Sequence, residues 1–158
     1  MDKPKPSLRP LIVMAVVIVA AIGLRVKQYL DERRPVMADV TINGHVFHAE
    51  VANTPAKQEL GLGQRDTLAP DAAMYFPMGG PQRWIFWMKD MRFPIDIIWI
   101  SEGKVVDVTH DAPVPTPGQD LATYSPSDPA DAVLEINAGL AGADGIVPGA
   151  DAVLRVVK

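Results

Sequence analysis

The feature that most constrains the fold is a dense apolar stretch in the middle of the chain, residues 84–101. Its sequence is WIFWMKDMRFPIDIIWIS, and it holds all three tryptophans of the chain. In an extended strand over residues 95–100, side chains alternate between two faces, and both faces are apolar apart from Asp96. A short strand of this kind is buried on both sides. We therefore predict a central β-strand here, with Pro94 at its start.

Asp96 is the charged residue on this predicted buried strand. A buried carboxyl must be paired, hydrogen-bonded or protonated. Two interpretations stay open: a structural carboxylate, paired with Lys89 or Arg65 or accepting bonds from loop amides, and a functional group in a cleft. Lys89 follows Trp84 and Trp87, where it can hold an anionic ligand over an aromatic floor or extend along the surface as an ordinary lysine.

The N-terminal part contains a second apolar run. Residues 11–24 are fourteen apolar or Gly positions with Lys and Arg on both sides. As a helix they span about 21 Å, less than the roughly 30 Å of a hydrocarbon core, but a few flanking residues with snorkelling basic side chains make the segment long enough. We predict a membrane anchor at residues 11–30, with a cleaved signal segment as the alternative. Residues 1–10 are then a basic N-terminal segment, 31–37 a linker and 38–158 a β-rich domain.

The charge balance changes along the chain. Residues 1–37 hold seven Lys/Arg and three Asp/Glu, so residues 38–158 hold eight and sixteen, a net charge of −8. A domain this acidic repels a phosphate backbone, so nucleic acid is not an expected partner. Basic residues flank the apolar run almost equally, and the positive-inside rule decides no orientation. We expect export of the domain to the periplasm or cell surface, or secretion if the segment is cleaved; the absence of Cys is compatible with this.

Short apolar segments separated by Gly and Pro turns make up the rest. Asn43-Gly44 and Glu102-Gly103 are suited to short hairpin turns. Thr54-Pro55 is typical of a helix start, and that helix is predicted to end near Leu62, before Gly63. Strands are predicted at residues 40–42, 45–52, 73–76, 84–88, 95–100, 104–110, 133–137 and 151–157. The pattern predicts a mainly β fold, a single β-sandwich or partly open barrel with one or two short helices, preceded by an N-terminal apolar helix.

Few residues suit metal binding or nucleophilic catalysis. His45 and His48 are three positions apart on a predicted strand and so point to opposite faces, and we expect no metal and no cofactor. The sequence has no G-x-S-x-G nucleophile motif and no phosphate-binding glycine loop. Asp96, Glu135 and His110 are the candidate acid–base groups of an alternative hydrolase-type reading, although Glu135 on its strand is best explained by a solvated face.

Residues 86–98, FWMKDMRFPIDII, resemble the central motif of a bacterial and archaeal family known as domain of unknown function 192. Three further pieces match it in order: Thr54 to Arg65, Met74 to Phe76, and Val133 to Gly139 followed by Gly149 to Asp151. The resemblance covers essentially residues 38–158. It implies a compact all-β domain, often exported or membrane-anchored, and no established reaction. The shared polar and aromatic set that it implies is Arg65, Trp87, Lys89, Asp96 and Glu135.

The chain departs from the family pattern at two places. It has Asp90-Met91 where the family usually has Asn-Thr, and Gly63-Gln64 before Arg65 where the family usually has Met-Phe.

Together these patterns indicate a membrane-anchored extracytoplasmic β-domain that binds a small ligand or an envelope protein in a Trp-lined cleft. The candidate ligand-binding residues are Arg65, Trp84, Trp87, Lys89, Asp96, Trp99 and Glu135. The alternatives are the hydrolase-type enzyme and a structural accessory domain whose charged residues serve only the fold.

Overall fold

The computed structural model describes residues 19, 21–26 and 35–157. Residues 21–26 are helical. In the described part of the chain, no helix combines the length and the apolar character needed to span a membrane. Most of the predicted segments at residues 1–10, 11–30 and 31–37, and with them most of the predicted apolar helix, lies outside the described residues.

The β-rich domain predicted at residues 38–158 is a compact unit that begins at Val36. Within residues 35–157 it has nine strands and two short helices. The strands are β1 (Met37–Ile42), β2 (His45–Val51), β3 (Ala72–Gln82), β4 (Phe86–Trp87), β5 (Ile95–Ser101), β6 (Lys104–Ala112), β7 (Thr123–Tyr124), β8 (Ala130–Asn137) and β9 (Ala152–Val157). The helices are α1 (Pro55–Leu60) and α2 (Leu140–Ala143). The mainly β prediction is confirmed.

Seven strands form one sheet in the order β6-β5-β8-β3-β2-β1-β9, and β4 pairs with β7 in a small second sheet. All neighbours are antiparallel except β2 and β3. A backbone bridge joins Lys104 of β6 to Asp151, next to β9, and Ala152 N donates to Gly103 O at 2.8 Å. The two outermost strands of the order are therefore in contact at one end.

Both predicted hairpin turns are confirmed. Asn43 and Gly44 have φ of 51° and 83°, and Glu102 and Gly103 have φ of 51° and 72°. Positive φ at both central residues gives the twist that matches the flanking strands, and Asn and Gly tolerate it best.

Strand β5 is buried on both faces, as its composition predicts, because the sheet carries an apolar layer on each side. Ile98 and Ile100 belong to a first core, which α2 covers through Ala141. Ile97 and Trp99 belong to a second core on the opposite face. The second core includes Leu62, Met74, Phe76, Met88, Met91 and Val133, with Phe86 packed against it.

Several predicted elements differ in length from those in the structure. The strand predicted at residues 73–76 is the eleven-residue β3, and the strand predicted at residues 133–137 begins earlier, at Ala130. Helix α1 starts as predicted, with Thr54 Oγ1 accepting a bond from Lys57 N at 3.3 Å, but it ends at Leu60 because Gly61 leaves the helical conformation at φ 53° and ψ −136°. The predicted strand at residues 84–88 reduces to the two residues of β4, which pair with β7 and not with the main sheet.

Candidate functional site

An apolar cavity of about 240 Å³ lies on the second-core face of the sheet, and we call it the Glu135 pocket. Helix α1, the segment after it, β3, β4 and β8 all contribute to it. Its apolar lining is Leu60, Leu62, Phe76, Met78, Ile85, Phe86, Trp87 and Met91, and its polar lining is Gln58, Glu59, Lys89 and Glu135. Apolar walls with a few polar groups are typical of small-molecule sites. A cavity of roughly 150 Å³ holds benzene, so this one admits a compact molecule somewhat larger than one aromatic ring.

Glu135 supplies the buried carboxyl of the pocket. It pairs with Met74 of β3 and Ile97 of β5 in the sheet, so its side chain points into the second core. Only 5% of its surface is exposed, and Oε2 is buried without a hydrogen-bond partner in the part of the chain that the structure describes. Burial raises the pKa of Glu135 from 4.5 to about 8, against the opposing effect of the Arg65 charge. At neutral pH the carboxyl is mostly protonated, and it is poised to gain or lose its proton when a ligand arrives.

Arg65 is the cation whose charge acts on Glu135, and its side chain is already bound to another carboxylate. Its Nη2 donates to Glu50 Oε2 at 2.7 Å, and Lys57 Nζ lies 3.5 Å from Glu50 Oε1. Burial disfavours the charge on Glu50, but these two cations outweigh it and hold the pKa of Glu50 below its ordinary value. Because Arg65 binds Glu50, it does not pair with Oε2 of Glu135.

The rim of the pocket carries exposed aromatic and charged groups. Trp87 is 48% exposed and Ile85 72% exposed. Lys89 Nζ lies 5.6 Å from the Trp87 ring centroid and 3.7 Å from Glu59 Oε1. The predicted placement of Lys89 beside Trp87 agrees with this geometry, and its charge is offset by Glu59.

Two glycines shape the wall next to α1. A Cβ on Gly63 would come within 2.8 Å of Leu60 O and 3.0 Å of Lys89 O, so only glycine allows the Lys89 segment to pack this closely against the helix end. A backbone hydrogen bond from Gln64 N to Asp90 O, at 2.8 Å, also keeps the Lys89 segment against the end of α1. A Cβ on Gly61 would lie 3.5 Å from Phe76 Cζ and 3.7 Å from Glu135 Oε2, so its absence leaves space beside the carboxyl.

Asp96 does not belong to this pocket. It pairs with Ile136 in the sheet and points to the first-core face, opposite to Glu135. Its Oδ1 accepts a bond from Asp111 N and its Oδ2 one from Ala141 N, both at 2.8 Å. Of the two interpretations, the structural carboxylate that accepts loop amides fits this geometry, and the ion pair with Lys89 or Arg65 is not formed.

The three tryptophans do not line one cleft. Trp99 is fully buried and donates from Nε1 to Thr109 Oγ1 at 3.1 Å. Trp84 is half-buried, and its Nε1 donates to Gly80 O at 3.1 Å and Ala130 O at 2.9 Å. Trp87 alone of the three lines the Glu135 pocket. The Trp-lined cleft of the sequence prediction is therefore corrected to a pocket of mixed aromatic and aliphatic walls.

The histidines lie apart from the pocket. His45 Nδ1 is 3.4 Å from Asp144 Oδ1, His48 Nδ1 is 2.7 Å from Asp39 Oδ1, and His110 is exposed. Among the described residues, no three His, Asp or Glu side chains cluster closely enough to hold a metal ion. The predicted acid–base trio is not assembled either, because Asp96 lies on the opposite face of the sheet from Glu135 and His110 does not line the pocket.

The comparisons with known proteins agree with the resemblance read from the motifs. The model of the DUF192 family, described as "Uncharacterized ACR", matches residues 38–154. The chain belongs to the DUF192 family. No curated protein matches the chain.

Two solved structures are similar to this DUF192 domain. The crystal structure of a protein of unknown function from Novosphingobium aromaticivorans DSM 12444 has 34% identity and a TM-score of 0.67, covering 74% of this chain and 84% of that one. The crystal structure of a "putative transcription regulator" from Sinorhizobium meliloti 1021 has 28% identity and a TM-score of 0.66, covering 78% of this chain and 94% of that one.

The main feature of the DUF192 site that residue patterns missed is the burial of Glu135. The alternation of Glu135 and Asn137 with apolar neighbours on one strand predicts a solvated face. The layer over Glu135 comes instead from α1 and β4, which are distant in sequence. The family resemblance, which named Glu135 in the shared set, was the signal that identified it.

Proposed function

We propose that this DUF192 domain binds a small, largely apolar ligand in the Glu135 pocket, and that residues 11–30 anchor it to a membrane with the domain on the extracytoplasmic side. The observation that carries the ligand proposal is the unpartnered Oε2 of Glu135 at the bottom of an apolar cavity. Of the candidate residues, Trp87 and Lys89 lie at the rim, and Arg65 acts on Glu135 through its charge. Asp96, Trp84 and Trp99 serve the fold.

The buried carboxyl is unfavourable for folding, which supports a ligand role. A buried polar atom without a partner costs roughly 1–3 kcal/mol of stability. A titratable group that is strongly perturbed by burial and lies in a cleft is a typical candidate for a functional site. A ligand that supplies the missing bond would recover this energy, and the free domain bears the cost in its absence.

The scaffold that we infer is the partly open barrel rather than the sandwich. The bridge from β6 to the start of β9 supports it, because it brings the two outermost strands of the sheet together at one end. The pocket then lies outside the barrel, between the sheet and the layer formed by α1 and β4.

Methionine methyl NMR of the full chain tests ligand binding. Met78 and Met91 line the pocket, whereas Met37 lies on β1 away from it. We expect compact apolar ligands to shift the methyl signals of Met78 and Met91 and to leave Met37 unchanged. A screen of such compounds at millimolar concentration that moves neither pocket signal would contradict the proposal.

The exposed Ile85 and Trp87 at the mouth favour a second occupant, a partner protein that docks over the same pocket. Exposed aromatic and aliphatic side chains beside a pocket are common binding hot spots. If an envelope protein is the occupant, photo-crosslinking from position 87 in cells recovers one reproducible partner, and Trp87→Ala abolishes its recovery.

The raised pKa of Glu135 favours one form of the enzymatic alternative, with Glu135 as the acid–base group. Turnover of glycoside, ester or peptide substrates that is lost in Glu135→Gln would support it. Asp96→Asn is the control here, because Asp96 lies on the opposite face of the sheet and its loss should not remove turnover from a folded protein.

The membrane proposal rests on the uninterrupted apolar run at residues 11–24 with basic flanks. The net charge of −8 on residues 38–158 gives no support to DNA binding, so the regulator description of the Sinorhizobium relative is not carried over. The chain has no Cys, so a single Cys placed at exposed Gln119 can report its side of the membrane. We expect a membrane-impermeant maleimide to label Gln119→Cys in intact cells. Labelling only after the cells are lysed would contradict the proposed orientation.

A further inference from the structure

We propose that the ligand of the Glu135 pocket is a small apolar molecule with one ammonium group, which donates to Oε2 of Glu135. This inference rests on the proposed function, because it names the chemical class of the ligand for the same pocket.

The first support is the state of the Glu135 carboxyl. Its Oε2 has no partner among residues 35–157, and the guanidinium of Arg65 is held by Glu50 at 2.7 Å. A neutral hydroxyl would satisfy the hydrogen bond, but it would supply no countercharge that allows the carboxyl to ionise. An ammonium supplies both, and charge-assisted bonds of this kind are roughly twice as strong as neutral ones.

The second support is the free space beside the carboxyl. The position of a Cβ on Gly61 is only 3.7 Å from Glu135 Oε2 and 3.5 Å from Phe76 Cζ. The same space is therefore bordered by a carboxyl oxygen and an aromatic ring. Phe76 and Phe86 meet edge to face at 5.1 Å between centroids, which gives the apolar body of a ligand a ready aromatic surface.

The third support is the charge around the pocket. The titratable groups that act on Glu135 or share its pocket are Arg65, Lys89 and Glu59, and both cations are paired with carboxylates, Arg65 with Glu50 and Lys89 with Glu59. Residues 38–158 carry a net charge of −8, which attracts cations and repels anions. An anionic ligand would find neither of these two cations unpaired, because each already faces a carboxylate.

An ammonium ligand has a proton signature that other ligands lack. Because the pKa of Glu135 is about 8 in the free protein, its carboxyl is about nine-tenths protonated at pH 7. Pairing with an ammonium requires the ionised form, so binding should release about 0.9 proton per site at pH 7. For the same reason, affinity for the amine should rise about tenfold between pH 7 and pH 9.

The experiment compares three probes of similar shape on the full chain: phenethylamine, 2-phenylethanol and phenylacetate. Isothermal titration calorimetry in two buffers of different ionisation enthalpy gives the affinity and the proton count for each. We expect phenethylamine to bind at least tenfold more tightly than the other two at pH 9 and to release protons at pH 7. Methyl signals of Met78 and Met91 report whether each probe enters the pocket.

Two variants separate the carboxyl from its surroundings. Glu135→Gln should lose the preference for the amine, and Glu102→Gln, which makes the same change in an exposed turn, should keep it. Equal binding of the three probes without proton release overturns the ammonium assignment and leaves the pocket function standing. Failure of all three, with unmoved Met78 and Met91 signals, counts against both. The proton count needs only the unmodified protein, so the test stands even if Glu135→Gln fails to fold.

Discussion

Replacing Glu135 by Gln should change the pH dependence of stability in a defined direction. Gln has nearly the shape of Glu and cannot ionise. In the wild type, the folded state keeps the Glu135 proton up to about pH 8, whereas an ordinary Glu loses it near pH 4.5. Between these values the folded state binds more protons than the unfolded state, so the free energy of unfolding of the wild type falls as pH rises. The contribution is fully present below pH 4.5 and is lost by the time pH has passed through about 8.

The size of this effect follows from the pKa. Each unit of pKa corresponds to about 1.4 kcal/mol, so a rise from 4.5 to about 8 disfavours the fully ionised folded state by about 5 kcal/mol. Relative to acid, ionisation of Glu135 lowers the free energy of unfolding of the wild type by about 3 kcal/mol at pH 7. Between pH 5 and pH 9 the same group lowers it by about 4 kcal/mol. A buried amide without partners costs roughly 1–3 kcal/mol in the variant at every pH. This cost lowers the free energy of unfolding of the variant equally at every pH, so it does not change how that free energy varies with pH.

Urea unfolding followed by circular dichroism at pH 5, 7 and 9 measures the difference. Glu135→Gln should gain about 4 kcal/mol over the wild type between pH 5 and pH 9, since all other titrating groups are shared by the two proteins. Glu102→Gln, the matched control in an exposed turn, should show no such gain. A difference between Glu135→Gln and the wild type that stays constant with pH would refute the buried, raised-pKa carboxyl and the functional reading built on it.

Three further substitutions test the charged groups and the helix cap by the same urea assay. Asp96→Asn should lower stability by about 3 kcal/mol, because the backbone amide of either Asp111 or Ala141 loses a charge-assisted acceptor. A loss below about 1 kcal/mol would mean that Asp96 does not stabilise the fold through these two amides. Glu50→Gln should lower stability at pH 7, and its difference in stability from the wild type should vanish in acid. The reason is that the pKa of Glu50 is held low, so its contribution to stability is lost as pH falls through that value. An equal loss at pH 3 would contradict the lowered pKa of Glu50. Thr54→Ala should cost about 1 kcal/mol through loss of the helix cap, and no change would show that the cap is not formed.

Local residue chemistry was sufficient to predict the hairpins, the start of α1 and the central strand. Asn43-Gly44 fixes its turn through the φ angles that these residues allow, and Thr54 caps its helix through a bond to a backbone amide three residues away. Burial of β5 on both faces followed from composition alone. Each of these features depends on contacts within a few residues or on the side-chain alternation of one strand.

The site could not be predicted as fully, because its walls come from segments far apart in the chain. Asp96 and Glu135 are both carboxylates on buried strands, yet the first is satisfied by two backbone amides and the second is not. That difference depends on α2, which brings Ala141 N to Asp96, and on Glu50, which binds the guanidinium of Arg65. Neither contact has a signature in local sequence.

The proposed ligand site depends above all on the pH at which the Glu135 carboxyl titrates. Carbon-13 NMR of the side-chain carboxyl, assigned by comparison with Glu135→Gln, reports its ionisation in the folded protein. We predict a midpoint near pH 8 in the free protein and a lower midpoint once phenethylamine is bound. A midpoint near 4.5, unchanged by the amine, would mean that the carboxyl is solvated or paired, and the ligand site proposed here would be wrong.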